Sequence, residues 1–395
     1  MYKAIWMGGI ALSLAGFAAR AQNLDTVLAA IGRNNKAIGA NKKYWEARLA
    51  EYRTGLTPYD PLVEFDYLPG SPAGAGTQRD FALTQRLDFP TAYKRKKELA
   101  GAQAEGAGLE QAVFRQDVLL EAKLTALQLI AVNKKAAVLE QRLRRTARLA
   151  EDYQKKLDRG EVIVLDVNKA RLQLLQVNQE AALNLSERQA LLTRLSEFNG
   201  GLPVELRDTL YPQEPSLPDF DILDSLIEAA DPRIRSSEQQ QEVLRRQVGV
   251  QKALNLPKLE AGYHSQGILG QSYRGGHAGL TLPLWENKNR LKAVQAELEH
   301  SWESAGALRL EHRLEHRRLY DQLAVRTKAM QEYNALVAGL NNTYLLEKAL
   351  RLGQITVISY FQEESYYFSA YDRYLQQELE YHQALARLLK YRLSL

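Results

Sequence analysis

His312 and His316 stand four residues apart, the spacing that puts two imidazoles on one helix face as a pair of metal ligands. A metal site needs a third ligand, and none of a committed kind lies nearby. Arg313, Arg317 and Arg318 would also repel a cation, so no metal site is expected. Arg142, Arg144, Arg145 and Arg148 crowd another stretch, which reads as a solvated helix face and not as a nucleic-acid patch. Tyr360, Tyr367, Tyr374 and Tyr381 recur one heptad apart. That pattern suits a seam that packs rings while the hydroxyls reach water, and a sharper use would be an aromatic lining. The chain has no cysteine, no nucleophile–base motif and no phosphate loop, so neither an enzyme nor a cofactor is expected.

The elements that must position these residues come from a long, exported chain. Lys3 is followed by the apolar stretch 5–19 and by Ala19-Arg20-Ala21, a small-x-small cleavage signal. Residues 1–21 therefore read as a signal peptide, with the mature chain starting at Gln22. Without Lys3 and Arg20 the chain carries 50 basic and 47 acidic residues, too balanced to argue for nucleic acid. No apolar run of the mature chain is long enough for a membrane helix, so a membrane could be met only by strands or a surface helix.

The mature chain is a duplication. Gly160 and Gly353 lie 193 residues apart, and Glu187, Leu192, Arg194 and Leu195 reappear at that offset as Glu380, Leu385, Arg387 and Leu388. Pro61, Glu64 and Tyr67 reappear as Pro257, Glu260 and Tyr263, at an offset of 196. The first repeat, 22–198, is read as helices over 24–56, 91–157 and 164–198, with strands over 62–67 and 80–89. A Gly- and Pro-rich linker or equatorial region covers 199–220. The second repeat, 221–395, is read as helices over 221–254, 287–352 and 355–392, with strands over 257–264 and 277–285. The run 91–157 contains no proline and would be roughly 100 Å long as a helix, a length that coiled coils and periplasm-crossing tubes need. In 164–198, Val167, Leu174, Ala181, Arg188 and Leu195 form one heptad seam and Ala170, Val177, Asn184, Leu191 and Phe198 the other. The runs 24–56 and 164–198 together match the long helix in length, so they could stack end to end beside it.

The strands alternate. Val63, Phe65 and Tyr67 oppose Glu64 and Asp66, and Phe81, Leu83, Leu87 and Phe89 oppose Ala82, Thr84, Arg86 and Asp88, with Gln85 a lapse on the apolar side. Leu259, Ala261 and Tyr263 oppose Lys258, Glu260 and His264, and Leu280, Leu282 and Leu284 mark the last strand. Such strands suit a transmembrane β-sheet with lipid on one face and water on the other, and Tyr67, Phe89, Tyr263 and Trp285 are candidate interfacial girdle residues. Four strands do not close a barrel, so three chains giving twelve strands is the simplest open pore.

The order of these features, with Gly279-Leu-Thr-Leu-Pro-Leu-Trp285 running into Asn289-Arg290 and the Gly160 to Asp166 turn, resembles the outer membrane efflux protein (TolC) family over nearly the whole mature chain. The resemblance implies a mainly α fold of long coiled-coil hairpins with a small transmembrane β part. As a homotrimer it would form a 12-stranded outer-membrane β-barrel continued by a periplasmic α-helical barrel. It further implies a passive exit duct for tripartite efflux or type I secretion, working with a periplasmic adaptor and an inner-membrane pump of RND or ABC type. A periplasmic coiled-coil scaffold or adaptor without a pore is the alternative. By the same resemblance, the adaptor would dock at the tips, at Arg159, Gly160, Glu161, Leu352, Gly353 and Gln354. The gate candidates are Asp166, Ser359, Gln362 and Glu363. Six residues beyond the tip glycine the first repeat has Asp166 and the second Ser359, so an acidic ring is missing from the second.

Overall fold

The computed structural model describes residues 23–394 apart from 73, 214–215 and 340–342, so the expected signal peptide lies outside the described residues. Each repeat begins with a helix that breaks. In the first, α1 (Leu24–Asn34) gives way to α2 (Lys36–Glu51) at Asn35, whose backbone turns extended and whose side chain accepts from the Ile38 N–H at 2.9 Å. In the second, α5 (Phe220–Ala230) gives way to α6 (Pro232–Leu254) at Asp231, whose side chain accepts from the Arg233 N–H at 2.9 Å. The single helices expected over 24–56 and 221–254 are thus each two helices. The reason is local in both cases: a short polar side chain offers the next helix a cap, and Pro232 disfavours helical geometry in the residue before it.

Between these pairs lie α3 (Pro90–Asp158) and α4 (Val164–Phe198), an antiparallel hairpin. The second repeat has α7 (Arg290–Gly339), α8 (Thr343–Arg351) and α9 (Val357–Leu388), then a 3-10 turn over Lys390–Ser394. At 69 residues, α3 is about 100 Å long. Its apolar face holds the first core, in which Leu119, Ala126, Leu127 and Ile130 meet Val27 and Ile31 of α1 and Leu191 and Leu195 of α4. Leu206 of the linker is fully buried in that core, and Asn133 donates to its carbonyl at 3.1 Å, so this part of the linker is packed. The second core repeats the plan, with Leu223 and Ile227 of α5 against Leu319, Leu323, Leu385 and Leu388.

End-to-end stacking occurs, but only for part of the expected run. Asn35 donates to the Phe198 carbonyl at 2.8 Å and Asn34 to the Asn199 side chain at 3.0 Å. The end of α4 therefore abuts the α1–α2 break, while α1 packs against α3.

The strands β1 (Leu62–Pro69), β2 (Thr77–Leu87), β3 (Lys258–Ile268) and β4 (Gln271–Thr281) form one antiparallel sheet in that order. The β2–β3 pairing joins the two repeats, from Arg79 opposite Gly267 to Leu87 opposite Leu259. Three strands differ from expectation. β2 stops at Leu87, β3 runs on to Ile268, and β4 lies further back than 277–285 because Pro283 cannot donate to a ladder.

Candidate functional site

Both hairpins turn by the same bonds. At the first tip the Gly160 N–H donates to the Leu157 carbonyl at 2.9 Å and the Glu161 N–H to the Lys156 carbonyl at 2.9 Å. At the second, Gly353 donates to Leu350 at 3.2 Å and Gln354 to Ala349 at 2.9 Å, the same pairs shifted by 193. Both glycines have positive φ, +75° and +70°, with open space where a Cβ would stand. The conformation and not crowding selects glycine. Arg159 is exposed, donates to the Lys155 carbonyl and pairs with Glu161 at 3.3 Å, and Leu352 is exposed beside Gly353. The two tips are held together by one core in which Ala150, Tyr153, Val167 and Ala170 meet Leu350, Val357 and Tyr360. The six tip residues therefore sit on two adjacent, equivalent turns.

The gate candidates separate into different environments. Asp166 is half-buried, pairs with Lys169 at 3.8 Å, and adds to the burial that pushes the Tyr153 phenol up. Ser359 takes a different role. Its N–H donates to the Thr356 Oγ1 at 3.2 Å, which caps α9, whereas α4 starts at Ile163 without any side-chain cap. Gln362 and Glu363 point to solvent.

The carboxylate that the helix buries is the next one, Glu364, 2% exposed, with neither oxygen hydrogen-bonded. Arg142 lies 4.0 Å away, stacks over Phe368 at 4.5 Å and pairs with Glu180 at 2.7 Å. Burial pushes the Glu364 carboxyl up, against the pull of Arg142 and Arg145. The solvated-face reading of the arginine run is thus overturned for Arg142, which is 5% exposed, while Arg144 is exposed and pairs with Glu140. The signal was present in the sequence: Leu139, Arg142, Thr146, Ala150 and Tyr153 share one face of α3 at helical spacing and are all buried.

The tyrosine stripe packs as a seam. Tyr360 is buried between the tips, Tyr374 donates to Glu378 at 3.1 Å, and Tyr381 lies against the second core. His316 pairs through Nδ1 with the buried Asp224 carboxyl at 3.1 Å, and His312 packs edge-on against its ring. Among the described residues no group of three or more side chains is placed to hold a metal ion.

The sheet carries its alternation into three dimensions. One face presents Val63, Phe65, Tyr67, Phe81, Leu83, Leu87, Leu259, Ala261, Tyr263 and Leu280, with Arg79 and Arg274 on the same face towards the hairpin turns. The other presents Glu64, Asp66, Arg86, Glu260, His264 and His277, with Arg86 bonded to Glu260 at 2.9 Å. The apolar face is largely open, Phe65 being 65% and Leu280 60% exposed. Both edge strands, β1 and β4, are exposed along their whole length. The girdle candidates do not share one row. Tyr67 is level with Arg79 and Gly267 near the hairpin turns, whereas Tyr263 is level with Val63 and Leu83 in mid-sheet. Phe89 immediately precedes α3 and Trp285, 80% exposed, precedes α7, so both lie beyond the strands at the helical end.

No protein-family model and no curated protein sequence matches the chain. Solved structures do match. CusC, described for the changes that accompany folding and transmembrane channel formation, superposes with a TM-score of 0.78 at 14% identity, covering 94% of this chain and 92% of that one. The outer-membrane channel OprN superposes at 0.75 and 16% identity, covering 93% and 89%. The open state of the MtrE outer membrane channel of Neisseria gonorrhoeae superposes at 0.66 and 14% identity, covering 94% and 89%. The resemblance to the efflux-channel family therefore holds at the level of the fold, over nearly the whole length of both partners.

Proposed function

We propose that the chain is the passive exit duct of a tripartite efflux pump or type I secretion system. Three copies would close a 12-stranded barrel in the outer membrane, and the helical hairpins would reach into the periplasm. The observation that carries this reading is the sheet. One face is mostly apolar and exposed, with Arg79 and Arg274 towards the hairpin turns, the other carries most of the charged side chains, and neither edge has a strand partner among the described residues. Lipid suits the first face, water the second, and neighbouring copies the edges, since unpaired strand edges are not tolerated in hydrocarbon. No helix among the described residues is long and apolar enough to cross a membrane, so spanning falls to the strands. A pore-free periplasmic scaffold or adaptor accounts for the hairpins but leaves the apolar face and both edges uncovered.

In this reading Arg159, Gly160, Glu161, Leu352, Gly353 and Gln354 meet a periplasmic adaptor, and an inner-membrane pump of RND or ABC type supplies the energy. Fractionation followed by electrophoresis of the unheated, detergent-extracted protein tests it. Outer-membrane trimers are expected, and a soluble periplasmic monomer would sink the proposal. A second test addresses docking. Arg159→Glu on this exposed turn should lower export while trimers still form, and unchanged export would remove Arg159 from the docking surface.

A further inference from the structure

A cavity of about 450 Å³ lies near the tips, between the last turns of α3 and the facing segment of α8 and α9. Its volume falls in the range of small-molecule sites. Six cations line it: Arg145, Arg148, Lys155, Lys156, Arg159 and Arg351. Only two acids, Asp152 and Glu347, line it with them, and Lys155 and Arg159 are paired with Glu151 and Glu161 beside it, which leaves an excess of two positive charges. Arg148 and Arg351 have no ion pair among the described residues, and the Arg145 Nε–H is buried without an acceptor. The floor is of another kind: Leu149 and Leu350 lie beside Tyr153 and Tyr360, both nearly fully buried.

We infer that this cleft binds an amphiphilic organic anion, its flat or aliphatic body on the tyrosines and leucines and two or more acidic groups among the arginines and lysines. Unpaired guanidinium groups favour sulfonates, carboxylates and phosphates, and the aromatic floor adds a surface for a ring. A free inorganic anion would use the rim and leave the floor uncovered. The lining comes from both hairpins of one subunit, so a bound anion would tie the first tip to the second. This inference goes beyond the duct reading and requires neither a trimer nor a membrane.

The probe is pyranine, a water-soluble aromatic trisulfonate, followed by fluorescence anisotropy on the purified full chain. Saturable binding is expected, weakening as salt rises. Arg148→Glu combined with Arg351→Glu should weaken it roughly tenfold or more, and Arg148→Gln alone, at an exposed and unpaired position, by a smaller factor. Arg144→Glu, on the same helix but outside the cleft, should leave binding unchanged. Tripolyphosphate should displace pyranine only at roughly tenfold higher concentration, since it cannot use the floor. Absence of saturable binding would overturn the site. So would binding that survives the double substitution or falls equally in Arg144→Glu, and equal potency of tripolyphosphate would overturn the amphiphilic assignment.

Discussion

At the first tip, α4 leaves the turn without a side-chain cap and carries Asp166. At the second, α9 leaves the matching turn capped by Thr356 and carries Ser359. The pattern extends along the molecule. The turns, the broken first helices and the strand pairs coincide between the repeats, while the polar groups around them do not. All six histidines of the chain belong to the second repeat. His316 is paired with buried Asp224, and burial holds His312 below its ordinary range. His382 is stacked on Tyr211 at 4.0 Å, and burial, followed by the charges of Lys134 and Lys123, pushes it down to about 4. The equivalent of His382 in the first repeat is Gln189. Duplication thus fixed the scaffold twice and left the imidazoles to the second copy.

The largest effect should come from testing the shared scaffold. Leu195 and Leu388 are equivalent positions, both fully buried. Leu195→Ala and Leu388→Ala should each lower stability by about 2–5 kcal/mol in denaturant unfolding. A loss confined to one of them would break the equivalence of the two cores.

The next test concerns the asymmetry. A histidine whose folded value is depressed binds its proton more readily when unfolded, so its contribution is complete above the ordinary value. It is lost as pH falls from about 6.5 towards about 4. His382→Gln, which installs the residue of the first repeat, should flatten the stability–pH profile in that window, by on the order of 2 kcal/mol. An unchanged slope in thermal melts across those pH values would remove His382 from the account.

The smallest effect sharpens the likeness of the tips. Gly160→Ala and Gly353→Ala place a Cβ in open space but at positive φ, and should cost about 1 kcal/mol each. Unequal melting shifts would show that the turns are not mechanically equivalent.

What was legible in the sequence follows from punctuation. Gly160 and Gly353 located both turns, α4 spans the expected 164–198, and α3 lies within one residue of its expected bounds, because glycine and proline end helices for steric reasons that need no tertiary context. The breaks at Asn35 and Asp231 were less visible, since a single polar cap competes with helix continuation on either side. β4 was misplaced because Gly275, Gly276 and Gly279 give alternation no apolar side to display. Arg142 was hidden among charged neighbours, although its face was shared with Leu139 and Thr146. The burial of Glu364 was not readable at all, as it depends on α3, α4 and α9 meeting at one place.

The seam between β2 and β3 carries a kinetic consequence. Each β-hairpin closes through a short turn, but Leu87 must find Leu259 across 172 residues of chain. Contacts that distant in sequence are slow to form, because their entropy of closure precedes any reward. The hairpins and helical arms of each repeat should therefore form first, and the sheet should be completed last. The newborn chain should then pass through a stage with four unpartnered strand edges in place of two, in which a second chain would compete with its own other half.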